Sequence, residues 1–273
     1  MIPVEEARKN PFAQTLLKGQ TAIVTGGGTG IGKATAKEML QLGARVIIGS
    51  RKPEHLEPTV AELASLGEIV ALPCDIREPD SVEKFVNAVL ERFPRIDILV
   101  NNAGGQFPSP AQQLSSRGFE AVVRNNLVGT FNMTREVAVR AMIPQRSGSI
   151  VNVIANIARG FPGMAHTGAA RAGVENLTFT LAVEWAQFDV RVNAVAPGII
   201  ESSGIAQYPP ELVTSSVART PQKRMGHVEE VAHAIVYLAA PAAAFVTGAT
   251  LRIDGGASLW GDLWPIPDRE PGQ

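Results

Sequence analysis

The stretch TGGGTGIG, residues 25–32, decides the fold class of this chain. It follows the apolar run TAIVTG (21–26), a predicted buried strand, and leads into IGKATAKEMLQLG (31–43), a predicted helix. Glycines at that junction permit a tight turn and let backbone N–H groups approach a pyrophosphate at the helix N-terminus. An ordinary glycine-rich turn is the alternative, but the strand–turn–helix context favours a dinucleotide site. Its predicted contacts are Gly26, Thr29, Gly30, Ile31 and Gly32.

The rest of the chain alternates short apolar runs with longer helical runs. Strands are predicted at 44–50, 68–75, 97–104, 149–155, 191–198 and 249–256. Helices are predicted at 53–66, 79–93, 118–142, 164–187 and 228–240. This alternation predicts an α/β fold with a parallel sheet covered on both faces. No repeat or linker interrupts it, so we expect a single domain over 1–273, with loosely packed tails at 1–18 and 261–273.

Composition excludes several classes of function. The 273 residues carry a formal net charge of −1 and no block of like charge, which argues against nucleic acid or an anionic membrane as a partner. Cys74 is the only cysteine and the four histidines lie far apart in the sequence, so neither a disulfide nor a metal site is expected. No run reaches the roughly 18 consecutive apolar residues of a membrane span, and the N-terminus lacks a signal-peptide pattern. We therefore expect a cytoplasmic protein.

The end of the second strand indicates which dinucleotide binds. An NAD enzyme places an acid there for the ribose 2′-OH, whereas this chain has Ser50, Arg51 and Lys52. A guanidinium at that place grips a 2′-phosphate, so the sequence favours NADP(H) over the alternative of a solvated basic turn. After the third strand, Asp75 with Ile76 suits the adenine edge, and an Asx turn is the alternative.

The motif NNAG, residues 101–104, follows the fourth strand. Its two asparagines can bond to backbone and hold the strand ends apart, and its glycine lets the chain pass close to a ligand. We expect Asn102, Ala103 and Gly104 to contact the cofactor. Taken alone, the motif is also compatible with a plain turn.

Six motifs in order resemble the short-chain dehydrogenase/reductase family across residues 18–257. They are TGGGTGIG, NNAG, RNNLVGTF (124–131), SIVN (149–152), RVNAVAPG (191–198) and DGG (254–256). The resemblance implies a Rossmann-type doubly wound sheet of about seven parallel strands, a nicotinamide cofactor and a homotetramer or homodimer. It also implies roles for particular residues. Asn126 matches the active-site asparagine, Pro197 and Gly198 the turn over the nicotinamide, and Ile200 and Ser202 the residues that face its carboxamide.

This chain departs from the family where its carbonyl-reducing members keep a serine and a YxxxK pair. Aligning on RAGVENLT (171–178) places Arg171 at the lysine position and Thr167 at the tyrosine position, with the serine position near Ala155. The chain has only two tyrosines, and neither lies on the helix that begins near residue 164. Tyr237 lies in an apolar helix, and Tyr208 lies in 199–226, which we call the substrate-covering segment after its place in the family.

Those substitutions favour a reaction that does not need a tyrosine acid. Threonine is a poor acid, and arginine keeps its proton but can still hold the nicotinamide ribose. When hydride adds to a C=C bond conjugated to a thioester, charge develops on the thioester oxygen and needs hydrogen-bond donors. Thr167, the Asn126 amide and backbone N–H groups are candidates for this role.

The stretches 101–119 and 160–178 resemble the peroxisomal-type trans-2-enoyl-CoA reductases, which also lack YxxxK and use NADPH. Their proposed tyrosine donor matches Glu175 here, so that role is not carried over. His166 is either a proton donor or a helix-start histidine bonded to nearby backbone. Gln106 and Phe107 either line an acyl pocket or form a surface loop.

Three functions stay open from sequence. The first is an NADPH-dependent reductase of an enoyl thioester. The second is a carbonyl or alcohol oxidoreductase with substituted catalytic groups. The third is a non-catalytic NADP(H)-binding subunit.

Overall fold

A computed structural model describes residues 12–259 together with 266 and 268. Its main feature is a seven-stranded sheet in which every neighbouring pair is parallel, in the order β3-β2-β1-β4-β5-β6-β9. Numbered in chain order, its strands are β1 (Thr21–Thr25), β2 (Arg45–Ser50), β3 (Ile69–Pro73), β4 (Ile98–Asn101), β5 (Gly148–Val153), β6 (Val190–Pro197) and β9 (Thr250–Ile253). This confirms the predicted doubly wound sheet.

Helices cover both faces of this sheet. They are α1 (Gly30–Gln41), α2 (Pro53–Leu63), α3 (Pro79–Arg92), α4 (Ser116–Val123), α5 (Gly129–Val137), α6 (Ile143–Gln145), α7 (Ala165–Trp185), α8 (Pro210–Ala218) and α9 (Val228–Ala239). Two π-helical turns, Arg124–Val128 and Ala138–Met142, join α4, α5 and α6 into one helical run.

Alternate residues of the inner strands contribute to apolar cores on opposite faces of the sheet. Val24 packs with side chains of α1, α2 and α9, whereas the adjacent Ile23 packs with α3, α5 and α7. This is the consequence of the strand geometry, in which successive side chains point to opposite faces. A sheet buried on both sides explains why its strands read as continuous apolar runs.

The strand order reverses between β1 and β4, and that reversal opens a crevice at their carboxyl ends. The chain runs outward from β1 to β3 and then crosses back to β4 on the other side of β1. In open α/β sheets this crevice is where ligands bind. It brings the turn that follows β1 next to the NNAG motif that follows β4.

The substrate-covering segment is fastened at both ends. Two short strands, β7 (Ile200–Glu201) and β8 (Gly226–His227), pair with each other in parallel and close the segment into a loop that carries α8. Arg224 forms a two-pronged ion pair with Glu230, whose carboxylate also accepts the backbone N–H of His227 at the start of α9. The substrate-covering segment is therefore anchored to β8 and the start of α9.

Over the part of the chain that the structure describes, every helix is too short or too polar to cross a membrane. Within the same residues, no group of three or more metal-ligating side chains comes together. The expected tails at 1–18 and 261–273 lie largely outside the described residues.

Candidate active site

The turn between β1 and α1 requires glycine at several of its positions. Gly26 and Gly30 adopt φ values of +66° and +51°, in the left-handed region that favours glycine. A Cβ on Gly32 would overlap the carbonyl oxygen of Gly26. Thr29 precedes α1 in extended conformation, so the first free N–H groups of the helix lie at the crevice. These groups and the helix dipole form a site suited to an anion such as a pyrophosphate.

Thr25 fixes the distance between the two strand ends, a role that sequence reasoning missed. Its hydroxyl accepts the backbone N–H groups of Asn102 and Ala103, both at 3.0 Å, and donates to the carbonyl of Val100 at 3.2 Å. In return, the Asn102 amide donates to the carbonyls of Thr25 and Gly26 at 3.1 and 3.2 Å. The asparagine predicted to hold the strand ends therefore does so, and the threonine at the start of TGGGTGIG was the available signal for its partner.

The basic turn after β2 contains the two exposed cations that the sequence indicated for a 2′-phosphate. Arg51 and Lys52 are both exposed, and the Ser50 hydroxyl accepts the backbone N–H of Lys52 at 3.3 Å. The Cys74 N–H donates to the Ser50 carbonyl at 3.0 Å, which brings the residues after β3 beside this turn.

Asp75 makes a different set of contacts from those expected of an adenine-binding residue. Its carboxylate accepts the Arg77 guanidinium at 2.9 and 2.6 Å and the Arg77 backbone N–H at 3.1 Å. The last bond is the Asx turn that the sequence left open as the alternative. The hydrogen bonds from Arg77, with a weaker contribution from Arg51, hold the pKa of the Asp75 carboxyl below its usual range. Ile76 is buried against Gly129.

Arg171 is a buried cation beside the NNAG motif. It is 8% exposed, and its Nη1 donates to the carbonyl of Val153 at 2.8 Å. No ion pair within the described residues involves it, and its Nε has no hydrogen-bond partner there. Burial lowers the pKa of its guanidinium to about 10, so the group stays charged at neutral pH. A Cβ on Gly104 would lie 2.5 Å from Nη2, so the glycine makes room for this arginine.

The side-chain amide of Asn126 is hydrogen-bonded to backbone groups of the protein itself. It lies fully buried in the first π-helical turn, and its amide nitrogen donates to the carbonyls of Gly105 and Val122 at 2.7 and 2.9 Å. Its amide oxygen accepts the Gly105 N–H at 3.3 Å. Both amide hydrogens are therefore used, which differs from the expectation that this amide donates to the substrate. Its observed contacts hold the chain just after NNAG.

Thr167 and His166 contact each other at the start of α7. Both are fully buried, and the Thr167 hydroxyl lies 3.2 Å from Nδ1 of His166. The sequence offered this hydroxyl as a candidate hydrogen-bond donor to the substrate oxygen, whereas in the structure it lies against the imidazole. The Phe107 ring lies edge-on to the imidazole, with 4.7 Å between the ring centroids and 79° between the planes.

The loop after β4 forms a wall between α7 and the substrate-covering segment. Gln106 donates from its side-chain amide to the Tyr208 hydroxyl. Three residues further on, the Ser109 N–H donates to the carbonyl of Gly163 at 2.7 Å, just before α7. Gln106 therefore contacts the substrate-covering segment and Phe107 contacts the start of α7, so this loop joins the two.

The turn after β6 is held by the DGG motif. The Gly198 N–H donates to the carbonyl of Ile253 at 2.9 Å, and the Asn156 N–H donates to that of Pro197 at 2.9 Å. The Asn156 side-chain amide donates to the Asp254 carboxylate at 3.0 Å. This bond engages the polar side chain next to Ala155, which stands near the position of the family's serine.

The two residues expected to face the carboxamide lie differently from each other. Ile200 is buried in β7, whereas the Ser202 side chain lies next to the glycine turn, 3.7 Å from where a Cβ on Gly30 would stand.

Comparison with known proteins agrees with this geometry. A family model described as "Enoyl-(Acyl carrier protein) reductase" matches residues 26–258. The chain belongs to the short-chain dehydrogenase/reductase family. Members of this family are oxidoreductases that use a nicotinamide cofactor, and the glycine turn at the start of α1 is the part of this chain suited to hold one.

Relatives within the family carry out more than one reaction by name. A 3-oxoacyl-[acyl-carrier-protein] reductase of Thermotoga maritima is 39% identical over 242 residues, which is 88% of this chain and 98% of the relative. A peroxisomal 2,4-dienoyl-CoA reductase of Pongo abelii is 38% identical over 259 residues, covering 93% and 88% of the two chains. The solved structure of a citronellol catabolism dehydrogenase (AtuB) of Pseudomonas aeruginosa PAO1 is 49% identical, with a TM-score of 0.83 and coverage of 91% and 99%.

Proposed function

We propose that this protein is an NADPH-dependent reductase of the C=C bond of a 2-enoyl thioester such as a 2-enoyl-CoA. The observation that carries the proposal is the substitution of the YxxxK pair by buried Thr167 and Arg171 on α7, a helix without a tyrosine. Carbonyl reduction ends on an alkoxide that must take a proton from a nearby acid. Conjugate reduction develops charge on a thioester oxygen, which needs donors and positive potential instead.

The residues at the crevice fit a dinucleotide. The glycine turn leaves room for a pyrophosphate, and the free N–H groups of α1 can donate hydrogen bonds to it. The buried Nε of Arg171 is a further donor, without a partner among the described residues. Arg51 and Lys52 supply positive charge for a 2′-phosphate, which favours NADPH over NADH. When bound, this cofactor supplies the hydride.

The chain itself binds, orients and shields the substrate. The permanent charge of Arg171 stabilises negative charge close to the NNAG motif, and low local polarity strengthens that effect. Asn126 holds the backbone at Gly104 and Gly105, so that the cleft keeps its shape. The loop after β4 and the substrate-covering segment meet through Gln106 and Tyr208 and form a wall for an acyl chain.

The test is NADPH consumption with 2-enoyl-CoAs of short to long chains, run beside matched ketones and aldehydes. We expect turnover of the enoyl thioesters and slower or no turnover of the carbonyl compounds. An Arg171→Ala variant is expected to weaken NADPH binding. Failure of the wild-type protein to oxidise NADPH with any enoyl thioester would refute the proposal.

A second function is favoured by the likeness to AtuB, named as a dehydrogenase of citronellol catabolism. It is NADP(H)-dependent oxidation of an alcohol or reduction of a carbonyl compound. The T. maritima relative is likewise named as a reductase of a 3-oxoacyl group. NADP⁺ reduction with terpenoid alcohols, or NADPH oxidation with ketones, tests it in the same assay. Tight NADPH binding without turnover of either substrate class would instead identify a non-catalytic subunit.

A further inference from the structure

The two ring nitrogens of His166 have different surroundings. Nδ1 accepts the backbone N–H of Thr167 at 2.7 Å and lies 3.2 Å from the Thr167 hydroxyl. A backbone N–H can only donate, and although this one is shared with the carbonyl of Met164 at 3.0 Å, its short contact with Nδ1 favours the tautomer in which Nδ1 is unprotonated. The neutral ring therefore carries its proton on Nε2.

The Nε2 end of the ring has no acceptor. His166 is fully buried, and no hydrogen-bond partner of Nε2 exists among the described residues. A buried donor without a partner is unfavourable, because the group has lost its hydration and gained no bond in return. A ligand that reaches this nitrogen would supply the missing acceptor.

Phe107 covers this imidazole and separates it from the cleft. Its ring packs edge-on to His166 and is itself 42% exposed, so displacing one aromatic side chain uncovers the histidine. Phe107 follows Gln106, whose amide contacts Tyr208 of the substrate-covering segment. The imidazole therefore lies beneath the loop that separates α7 from that segment.

We propose that the Nε2–H of His166 donates a hydrogen bond to the carbonyl oxygen of the thioester substrate, and that Thr167 is the positioning residue that fixes the imidazole. This inference rests on the proposed function and names the donor within it. The Thr167 hydroxyl acts through Nδ1 of His166 and does not contact the substrate itself.

The reaction is balanced without a proton transfer from the histidine. Hydride adds to Cβ, the electron pair of the C=C bond moves through Cα to the thioester oxygen, and NADPH becomes NADP⁺. The Nε2–H stabilises the resulting oxyanion by hydrogen bonding and keeps its proton. Cα then takes a proton from water as the carbonyl re-forms, which gives the saturated thioester.

Substitutions of His166 separate a donor from a merely structural ring. His166→Gln retains a donor at the reach of Nε2, whereas His166→Phe keeps the aromatic contact with Phe107 and removes the donor. We expect His166→Phe to lower kcat by about 10²–10³-fold, the usual effect of removing one oxyanion donor, with an unchanged Kd for NADPH. We expect His166→Gln to recover most of that loss. Equal rates for the wild-type and Phe variants would overturn the inference, and so would equal losses in the Phe and Gln variants.

Thr167 supplies the matched test of positioning. Thr167→Val removes the hydroxyl and is expected to lower kcat, by less than His166→Phe does, whereas Thr167→Ser keeps the hydroxyl and is expected to restore most of that loss. The Kd for NADPH should stay unchanged in both variants. A Thr167→Val enzyme with a larger loss than His166→Phe would show that Thr167 contacts the substrate directly and would overturn the assignment.

Nitrogen-15 NMR of the imidazole gives a readout that needs no turnover. We expect the free protein to show the Nε2–H tautomer of His166, and a saturated acyl-CoA with NADP⁺ to shift that N–H resonance. An Nδ1–H tautomer would overturn the inference by itself. A wild-type protein that reduces no enoyl thioester would refute the proposed function and, with it, this role. An active wild type with a fully active His166→Phe variant would refute the inference alone.

Discussion

Arg51 is the side chain on which cofactor preference is expected to depend. It is exposed at the end of β2 and contributes to lowering the pKa of the neighbouring Asp75. A charged hydrogen bond to the 2′-phosphate is worth about 1.5–3 kcal/mol. We therefore predict that Arg51→Ala raises the Kd for NADPH by about 10- to 100-fold and changes the Kd for NADH little, as measured by fluorescence titration.

The matched control for that prediction is Arg95→Ala. Arg95 is an exposed arginine that pairs with Asp97 just before the amino end of the central strand β4, away from the crevice at the carboxyl ends. This variant should bind both cofactors like the wild type. Equal weakening of NADPH and NADH binding by Arg51→Ala would contradict an interaction with the 2′-phosphate.

The buried charge of Arg171 leads to a prediction about how NADPH affinity depends on pH. Burial lowers the pKa of this guanidinium to about 10, so it remains protonated through the neutral range. A lysine starts from a pKa of about 10.4, and burial lowers it further because the charged form loses hydration. Rising pH should therefore remove the charge from an Arg171→Lys variant while the wild type keeps it. The second pKa of the 2′-phosphate is about 6, so the comparison is made above it. We predict NADPH affinity that is flat between about pH 7 and pH 9 in the wild type and falls with rising pH in the variant. A flat profile in both would contradict this account.

At the residue level, sequence predicted positions better than roles. Alignment on the RAGVENLT stretch placed Thr167 and Arg171 on α7, where both are buried. The amide hydrogens of Asn126 are bound within the protein instead of being free for a substrate, whereas the adenine contact expected of Asp75 stays a prediction beside its observed Asx turn. The hydrogen-bond partners of the buried Asn126 amide depend on the π-helical turn that carries it, and such a turn has no separate sequence signature. The Arg77–Asp75 pair is one of several conformations open to a flexible arginine.

At the level of elements, apolar runs located the seven strands of the main sheet. The five inner strands are largely buried on both faces, whereas the edge strands β3 and β9 are partly exposed. The ends were less predictable. The strand predicted over 97–104 stops at Asn101, where the next residue turns its amide back to the end of β1. The helix predicted over 118–142 exists, but its period does not distinguish α-helical from π-helical turns.

Two asparagines join the elements beneath the crevice. The Asn101 amide of β4 donates to Asn152 of β5 at 2.9 Å and to Thr134 of α5 at 2.7 Å, and the Asn152 amide donates to Thr178 of α7 at 2.9 Å. All four side chains are buried. This network connects two strands to two helices below the NNAG motif, so its loss should affect stability as well as the site.

Asn152→Leu should therefore lower stability. It leaves one amide hydrogen of Asn101 without an acceptor and removes the donor to the Thr178 hydroxyl, which keeps its own bond to the Val174 carbonyl. Each buried polar group left unsatisfied costs about 1–3 kcal/mol. We predict a loss of about 2–5 kcal/mol in the free energy of unfolding, measured by urea denaturation. Gln41→Ala, at an exposed end of α1, serves as the control and should change it by less than about 0.5 kcal/mol. Wild-type stability in Asn152→Leu would contradict the importance of the network.

At the scale of the whole molecule, the cleft depends on contacts between distant parts of the chain. Gln106 and Tyr208 are 102 positions apart and meet because the crevice and the fastened ends of the substrate-covering segment bring them together. No local pattern indicates such a pair. The family resemblance predicted the sheet and the crevice, whereas the contacts that form the wall of the cleft are visible only in the three-dimensional structure.

The outer face of α5 and α7 leads to a prediction about assembly. Phe131, Phe179 and Val183 are exposed there by 43, 43 and 79%, beside an apolar groove of about 320 Å³ between the two helices. An exposed apolar surface of this kind marks an interface. We predict that the protein is a homodimer or homotetramer that uses this face. Phe131→Asp should reduce its mass in light scattering after size exclusion, because association would bury an unpaired charge. Leu212→Asp, on exposed α8, should leave the mass unchanged. A monomeric wild type, or a Phe131→Asp variant with wild-type mass, would refute an interface at this face.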